Sequence, residues 1–217
     1  MTNLNLRYET RLPQVGTPPY PALVLLHGRG ANEWDLMPLA NHLDPRFLVI
    51  SVRAPWRLDD GWEWYRMQDT LAPPDARSFE QSIAALQGLL HDLAGALPLD
   101  VKRCFGLGFS QGALMLGAAL LRMPRYFRGV ALLSGYLPTS VIPSDADATG
   151  ARCWIGHGSH DPVVPVALAR AERDALEALG ATVTYHEYAM AHQITLEELQ
   201  AVNGWFQLGL HENNDGA

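Results

Sequence analysis

Five residues, Gly108 to Gly112 in "FGLGFSQGALML" (105–116), set a serine between two glycines where one apolar run gives way to another. A serine hydroxyl becomes an effective nucleophile when it stands clear of the backbone, beside a base and near N–H groups that can hold a negative oxygen. The G-x-S-x-G spacing meets the first condition. A sharp strand-to-helix turn strains the serine backbone, and side chains at the flanking glycine positions would collide with neighbouring chain. The same turn aims the first N–H groups of the helix at charge developing beside Ser110. Chance is a weak rival, since eight serines among 19 glycines in 217 residues give about 0.06 expected matches.

Such a serine needs a base and an orienting carboxylate, expected after it in chain order. His192, in "YAMAHQITLEEL", follows the last predicted strand and precedes the last predicted helix, at the sheet edge expected for Ser110. It is the expected base. His27 lies before the serine at the end of the first apolar strand and suits the wall of the oxyanion site. His42, His91 and His211 fall on helices or the tail, where a solvated face explains them. Asp161, in "GHGSHDPVVP", follows a strand and is the expected acid, whereas Asp145 and Asp147 belong to a polar loop and read as surface charges. His157, His160 and Asp161 could suggest a metal site, but their spacing is awkward at the end of an extended strand and no metal is expected. The glycine-rich turn in "LLHGRGANEWDL" (25–36) offers a place for the oxyanion, with the N–H groups of Arg29 and Gln111 as donors. An ordinary strand-to-helix turn would use glycines too.

These groups require strands that end at a common edge. Candidate strands cover 22–28, 47–55, 103–110, 128–135, 152–158 and 182–188; most are continuously apolar, as in a parallel sheet covered on both faces. Phe79, Ile83, Leu86, Leu90, Leu93 and Leu97 recur at helical spacing, with Ser78 and Gln81 fitting a capping box. A helix starting at Gln111 and two further helices, near 165–179 before Gly180 and near 196–208 with Thr195 and Glu198 as capping pair, complete an α/β pattern. The segment "HENNDGA" is expected to fray. A single domain over 1–217, with its core at about 20–208, accounts for the length. The chain is 48% hydrophobic and 18% charged with a net charge of −7 and scattered basic residues, which argues against binding nucleic acid or anionic membranes. No apolar run approaches the ~18 residues of a membrane span, and the amino terminus lacks a signal-peptide pattern. A soluble cytoplasmic protein is the simplest expectation. Cys104 and Cys153 lie in apolar segments without metal-binding spacing and read as buried free thiols.

"LHGRGANEWDLMPLA", "VRAPWRLDDGWEWY", "GLGFSQGALM", "GSHDPVVP" and "AHQITLEEL" together resemble the phospholipase/carboxylesterase family of α/β-hydrolases, over about 20–208. The resemblance implies an α/β-hydrolase fold with a mostly parallel sheet and no large lid domain, and frequently a homodimer. It implies Ser110, Asp161 and His192 as the triad, with Arg29 and Gln111 as oxyanion donors. It also implies a serine carboxylesterase that needs no cofactor and acts on small-molecule esters. "MAHQI" departs from the family, which commonly has glycine before the histidine and glutamate after it. Trp56, Trp62, Trp64 and Tyr65 either line a substrate pocket or pack their loop onto the domain. Arg29, Arg53 and Arg57 could meet an anionic leaving group. With no apolar lid visible, small to medium acyl esters are expected over long lipids. An acyl-thioesterase or lysophospholipase would share the same residues, and a binding module would typically have lost one of them.

Overall fold

The computed structural model describes residues 4–69 and 71–211; residues 212–217, most of the segment expected to fray, lie outside the described residues. In chain order the elements are β1 (Tyr8–Arg11), β2 (Tyr20–Leu26), β3 (Leu48–Val52), β4 (Trp56–Leu58), β5 (Gly61–Glu63), α1 (Ala76–Ala96), β6 (Leu99–Phe109), α2 (Gln111–Arg122), β7 (Gly129–Leu133), β8 (Arg152–Gly158), α3 (Val166–Ala178), β9 (Thr182–Tyr188) and α4 (Leu196–His211). Short 3-10 turns occupy Met37–His42 and Thr139–Val141.

Among the described residues, the main sheet has seven strands in the order β1-β3-β2-β6-β7-β8-β9. β1 runs antiparallel to β3, and the remaining pairs are parallel. Alternate residues face opposite layers. Ala22, Val24 and Leu26 pack with α1 and α2, while Leu23 and Leu25 join Leu36, Phe47 and the α4 residues Val202 and Phe206. Every one of these strand side chains is withdrawn from water, which is why the strands read as continuous apolar runs. Helices on both faces thus make a doubly covered sheet.

The order also fixes where a site can form. From β2 the chain moves outward to β3, then crosses back through α1 to β6 on the other side of β2, and continues outward to β9. The loops after β2 and β6 therefore depart in opposite directions, opening a crevice at the carboxyl ends of these adjacent strands.

Several elements differ from the sequence expectation. β1 was not expected, because its residues, YETR, are polar and only partly covered at the edge of the sheet. The segment after β3, expected as an aromatic loop, contains the β4–β5 hairpin, whose three-residue strands are too short to show a period. β6 begins at Leu99, earlier than expected, and β2 stops at Leu26, leaving His27 and Gly28 in the turn. The cap of α1 is Asp75, not Ser78: the Asp75 carboxylate accepts the N–H of Ser78 at 2.8 Å, and the Ser78 hydroxyl returns to it at 2.7 Å. At α4, Thr195 Oγ1 accepts the Glu198 N–H at 3.3 Å, and the Glu198 carboxylate lies back toward the Thr195 backbone N–H, as the capping pair requires. α3 ends as expected: Gly180, at φ 94°, donates to Glu177, and Ala181 donates to Leu176, forming a Schellman cap. Cys104 and Cys153 are free and buried, and burial pushes the Cys104 thiol up to about 12. None of the helices among the described residues is long and apolar enough to cross a membrane.

Glu172 and Glu198 are buried, and no cation is paired with either carboxyl among the described residues. Burial pushes each carboxyl up to about 8 from an ordinary 4.5. The native state therefore holds protons that the unfolded chain has released between those values, and this contribution to stability is lost as pH rises through the folded value. Replacing both by glutamine should give a variant whose stability relative to wild type increases as pH rises from 4.5 toward about 8. Urea unfolding of both proteins across that range checks this; parallel stability curves would show that the two groups do not enter the fold as neutral acids.

Candidate active site

Ser110 follows β6 directly and precedes α2. Its backbone lies at φ 55° and ψ −117°, a left-handed conformation that a residue with a side chain adopts only under constraint. The constraint is close packing. A Cβ on Gly108 would sit 2.6 Å from the Gly112 carbonyl oxygen, and one on Gly112 would sit 2.6 Å from the His27 carbonyl oxygen. The Ser110 N–H donates to the Leu133 carbonyl at 2.9 Å, tying the turn to β7.

The structure brings Ser110, His192 and Asp161 together from the ends of β6, β9 and β8. His192 Nε2 lies 2.9 Å from Ser110 Oγ, and His192 Nδ1 lies 2.7 Å from Asp161 Oδ2. Asp161 Oδ1 accepts the N–H groups of Val163 and Val164 at 2.8 and 2.9 Å, so the carboxylate is fixed before it meets the imidazole. With the Nδ1 proton directed to Asp161, the Nε2 lone pair faces the serine hydroxyl. The turn before His192 contains Ala191, which is not among the positive-φ residues; the departure in "MAHQI" thus places the imidazole without a glycine. Phe109 packs against the ring at a centroid distance of 5.0 Å.

Arg29 and Gln111 both border the crevice beside Ser110. Gln111 is the first residue of α2, so its N–H has no carbonyl one turn earlier in the helix. Arg29 lies between Gly28 and Gly30, whose carbonyl and N–H hold Ala31 and Trp62 respectively. His27 supports this turn from beneath. Its Nδ1 donates to the Gly28 carbonyl at 2.7 Å and its Nε2 accepts the Ala54 N–H at 3.0 Å; burial keeps its pKa below the ordinary value and favours this neutral tautomer.

The crevice opens into a cavity of about 380 Å³. Of the four aromatics that could line a pocket or pack their loop, Tyr65 lines it, as do Met67, Phe109, Tyr136 and Val163, but Trp56, Trp62 and Trp64 do not. Trp56 donates to Ser82 Oγ at 2.9 Å, Trp64 is fully buried and donates to the His27 carbonyl at 2.8 Å, and Trp62 lies under Arg53 and Arg57. These three pack their segment onto the domain. Arg53 and Arg57 are engaged there, whereas Arg29 lines the cavity with its Nε 3.0 Å from Glu63. In the "HGSHD" stretch His157 is buried and donates to the Val164 carbonyl at 2.8 Å, while His160 is exposed. His42, His91, His211, Asp145 and Asp147 are exposed away from the crevice.

Sequence reasoning assigned Gln111 only a backbone role. Its side chain also accepts the Trp64 N–H at 2.6 Å and donates to the Tyr65 carbonyl at 2.8 Å, anchoring the cavity wall to α2. Replacing Gln111 by leucine strands both buried backbone groups, each at a cost of about 1–3 kcal/mol. Urea unfolding should show a loss of at least that size; a loss below about 0.5 kcal/mol would mean that the anchor is dispensable.

A family model described as Phospholipase/Carboxylesterase matches residues 12–209. The crystal structure of the Bacillus cereus carboxylesterase superposes with a TM-score of 0.86 at 25% identity, covering 96% of each chain. The Bacillus subtilis putative hydrolase MhqD is 24% identical over 185 residues, 85% of this chain and 92% of its own length. Acyl-protein thioesterase 1 of Neurospora crassa is 32% identical over 171 residues, 73% of this chain and 69% of its own. A strand order with its switch point at a serine turn, a hydrogen-bonded Ser–His–Asp series and a family match across most of the sequence agree: this chain belongs to the phospholipase/carboxylesterase family of α/β-hydrolases.

Proposed function

We propose that the protein is a serine carboxylesterase that cleaves esters of small to medium acyl chain through an acyl-enzyme. The observation that carries this reading is the series Ser110 Oγ, His192 and Asp161, joined by contacts of 2.9 and 2.7 Å at the mouth of a cavity. In this reading Ser110 attacks the ester carbonyl carbon as His192 Nε2 takes its proton. Asp161 holds the tautomer and stabilises the imidazolium. The carbonyl oxygen, now negative, is received by the N–H groups of Arg29 and Gln111. Collapse of the tetrahedral intermediate expels the alcohol, which takes the proton from His192. Water, activated by the same imidazole, then attacks the acyl-enzyme and releases the acid and the free serine. Protein groups and water supply every step.

The cavity volume of about 380 Å³ stands near the lower end of ligand pockets, roughly 300–1,000 Å³, and suits a small to medium ester. A thioester reading draws on the Neurospora crassa relative, which is named an acyl-protein thioesterase. Rates on matched oxygen esters and thioesters distinguish the two.

Replacing Ser110 by alanine should lower kcat on a p-nitrophenyl ester on the order of 10⁴–10⁶-fold, because the nucleophile and its base act as one unit. A fluorophosphonate probe should label Ser110 in wild type and leave the alanine variant unlabelled. Turnover within tenfold of wild type would remove Ser110 from the mechanism. Asp161→Asn should keep the fold and reduce kcat on the order of 10⁴-fold by stabilising the wrong imidazole tautomer; undiminished turnover would exclude Asp161 as the orienting acid. A p-nitrophenyl series from acetate to palmitate should peak among the short and medium chains, whereas a palmitate maximum would favour a lipid or acyl-protein substrate.

A further inference from the structure

We infer that the hydroxyls of Tyr65 and Tyr136 form a polar recognition point in the cavity, selecting esters that carry a neutral hydrogen-bond acceptor oxygen in the part of the molecule lodged between them. The inference rests on the esterase reading and names the substrate class it favours. The cavity wall is otherwise mainly hydrocarbon, including Leu58, Met67, Phe109 and Val163. Two phenols within it therefore stand out. Tyr136 is 8% exposed, and its hydroxyl is buried without a hydrogen-bond partner among the described residues. Tyr65 is 1% exposed, and its hydroxyl is likewise held by no protein group among the described residues.

Both phenols line the same cavity. Burial raises the pKa of both phenols, and the field of Tyr136 adds to the rise at Tyr65, so both remain neutral O–H donors near neutral pH. A buried hydroxyl without a partner carries a desolvation cost that phenylalanine would not impose. A ligand oxygen that accepts from either phenol removes that cost, while an all-hydrocarbon group leaves it in place. Arg29 also borders the cavity, but its guanidinium is paired with Glu63 at 3.0 Å, leaving this wall without an unbalanced charge. A neutral oxygen therefore suits it better than a carboxylate. The position of Tyr65 is set in advance, since its carbonyl accepts from Gln111 Nε2 at 2.8 Å.

Matched substrates that exchange one methylene for oxygen test the inference. For the acyl side, the p-nitrophenyl ester of ω-methoxybutanoic acid is compared with the hexanoate; for the alcohol side, ethoxyethyl acetate is compared with pentyl acetate. The readout is the ratio of kcat/KM within each pair, measured for wild type, Tyr65→Phe, Tyr136→Phe and the double variant. Intrinsic ester reactivity cancels when the same ratio is compared between proteins. In one pair the preference for the oxygenated ester should fall about threefold to tenfold on loss of a hydroxyl, the size expected for one neutral hydrogen bond. The pair that responds identifies which part of the ester lies between the phenols. Ratios unchanged in both pairs, with esters still hydrolysed, would overturn this inference and leave the esterase reading intact. Failure of wild type to hydrolyse any of the four esters, together with absence of fluorophosphonate labelling at Ser110, would overturn the esterase reading and this inference with it.

Discussion

Everything at the site depends on how closely the start of α2 approaches the ends of β2 and β6. That approach leaves no space for a side chain at Gly108 or Gly112, and it holds Ser110 at φ 55°. The cost of the backbone strain is carried by the surrounding core, in which Ala113, Leu114, Met115 and Leu116 of α2 are fully buried. The serine is therefore placed by packing across the whole sheet, and the side chains around it need only supply chemistry. The same approach brings the first N–H of α2 beside the turn that follows β2.

Gln111 joins that chemistry to the shape of the cavity. Its backbone faces the position of the proposed oxyanion, and its side chain binds Trp64 and Tyr65 across 47 and 46 positions of sequence. Trp64 in turn donates to the His27 carbonyl, in the turn that carries Arg29. Three separate segments are thereby referenced to one residue. A displacement of α2 would move the Gln111 N–H and the cavity wall together, so Ser110, the turn that carries Arg29 and the cavity wall share a single frame.

Ser110, Asp161 and His192 were legible because each follows a segment of strand composition, and strand ends in a parallel sheet meet at one edge. The glycines marked the serine turn, where close approach restricts the residue type. Side-chain direction was less accessible. Trp62 and Trp64 belong to the same aromatic stretch as Tyr65, yet only Tyr65 reaches the cavity, since the β4–β5 hairpin and the Gln111 anchor decide which rings turn inward. Tyr136 carries no local pattern; its place follows from the end of β7 lying beside the serine turn. Asp75 was missed as a cap because Ser78, its partner in the reciprocal bond, satisfies the same residue preference three positions later. β1 escaped because an edge strand need bury little, which leaves its composition close to that of a loop.

The hydrogen bond between Ser110 and His192 spans 82 positions, and that between Asp161 and His192 spans 31. The first requires β6, β7, β8 and β9 to lie side by side, and the second requires β8 and β9 alone. Contacts this distant in sequence carry a loop-closure cost that local helix contacts avoid. During refolding, helical signal from α1 and α2 can return while the three groups are still apart. Recovery of serine reactivity therefore reports that β6 to β9 have come together, making the site a marker for long-range pairing in that part of the sheet.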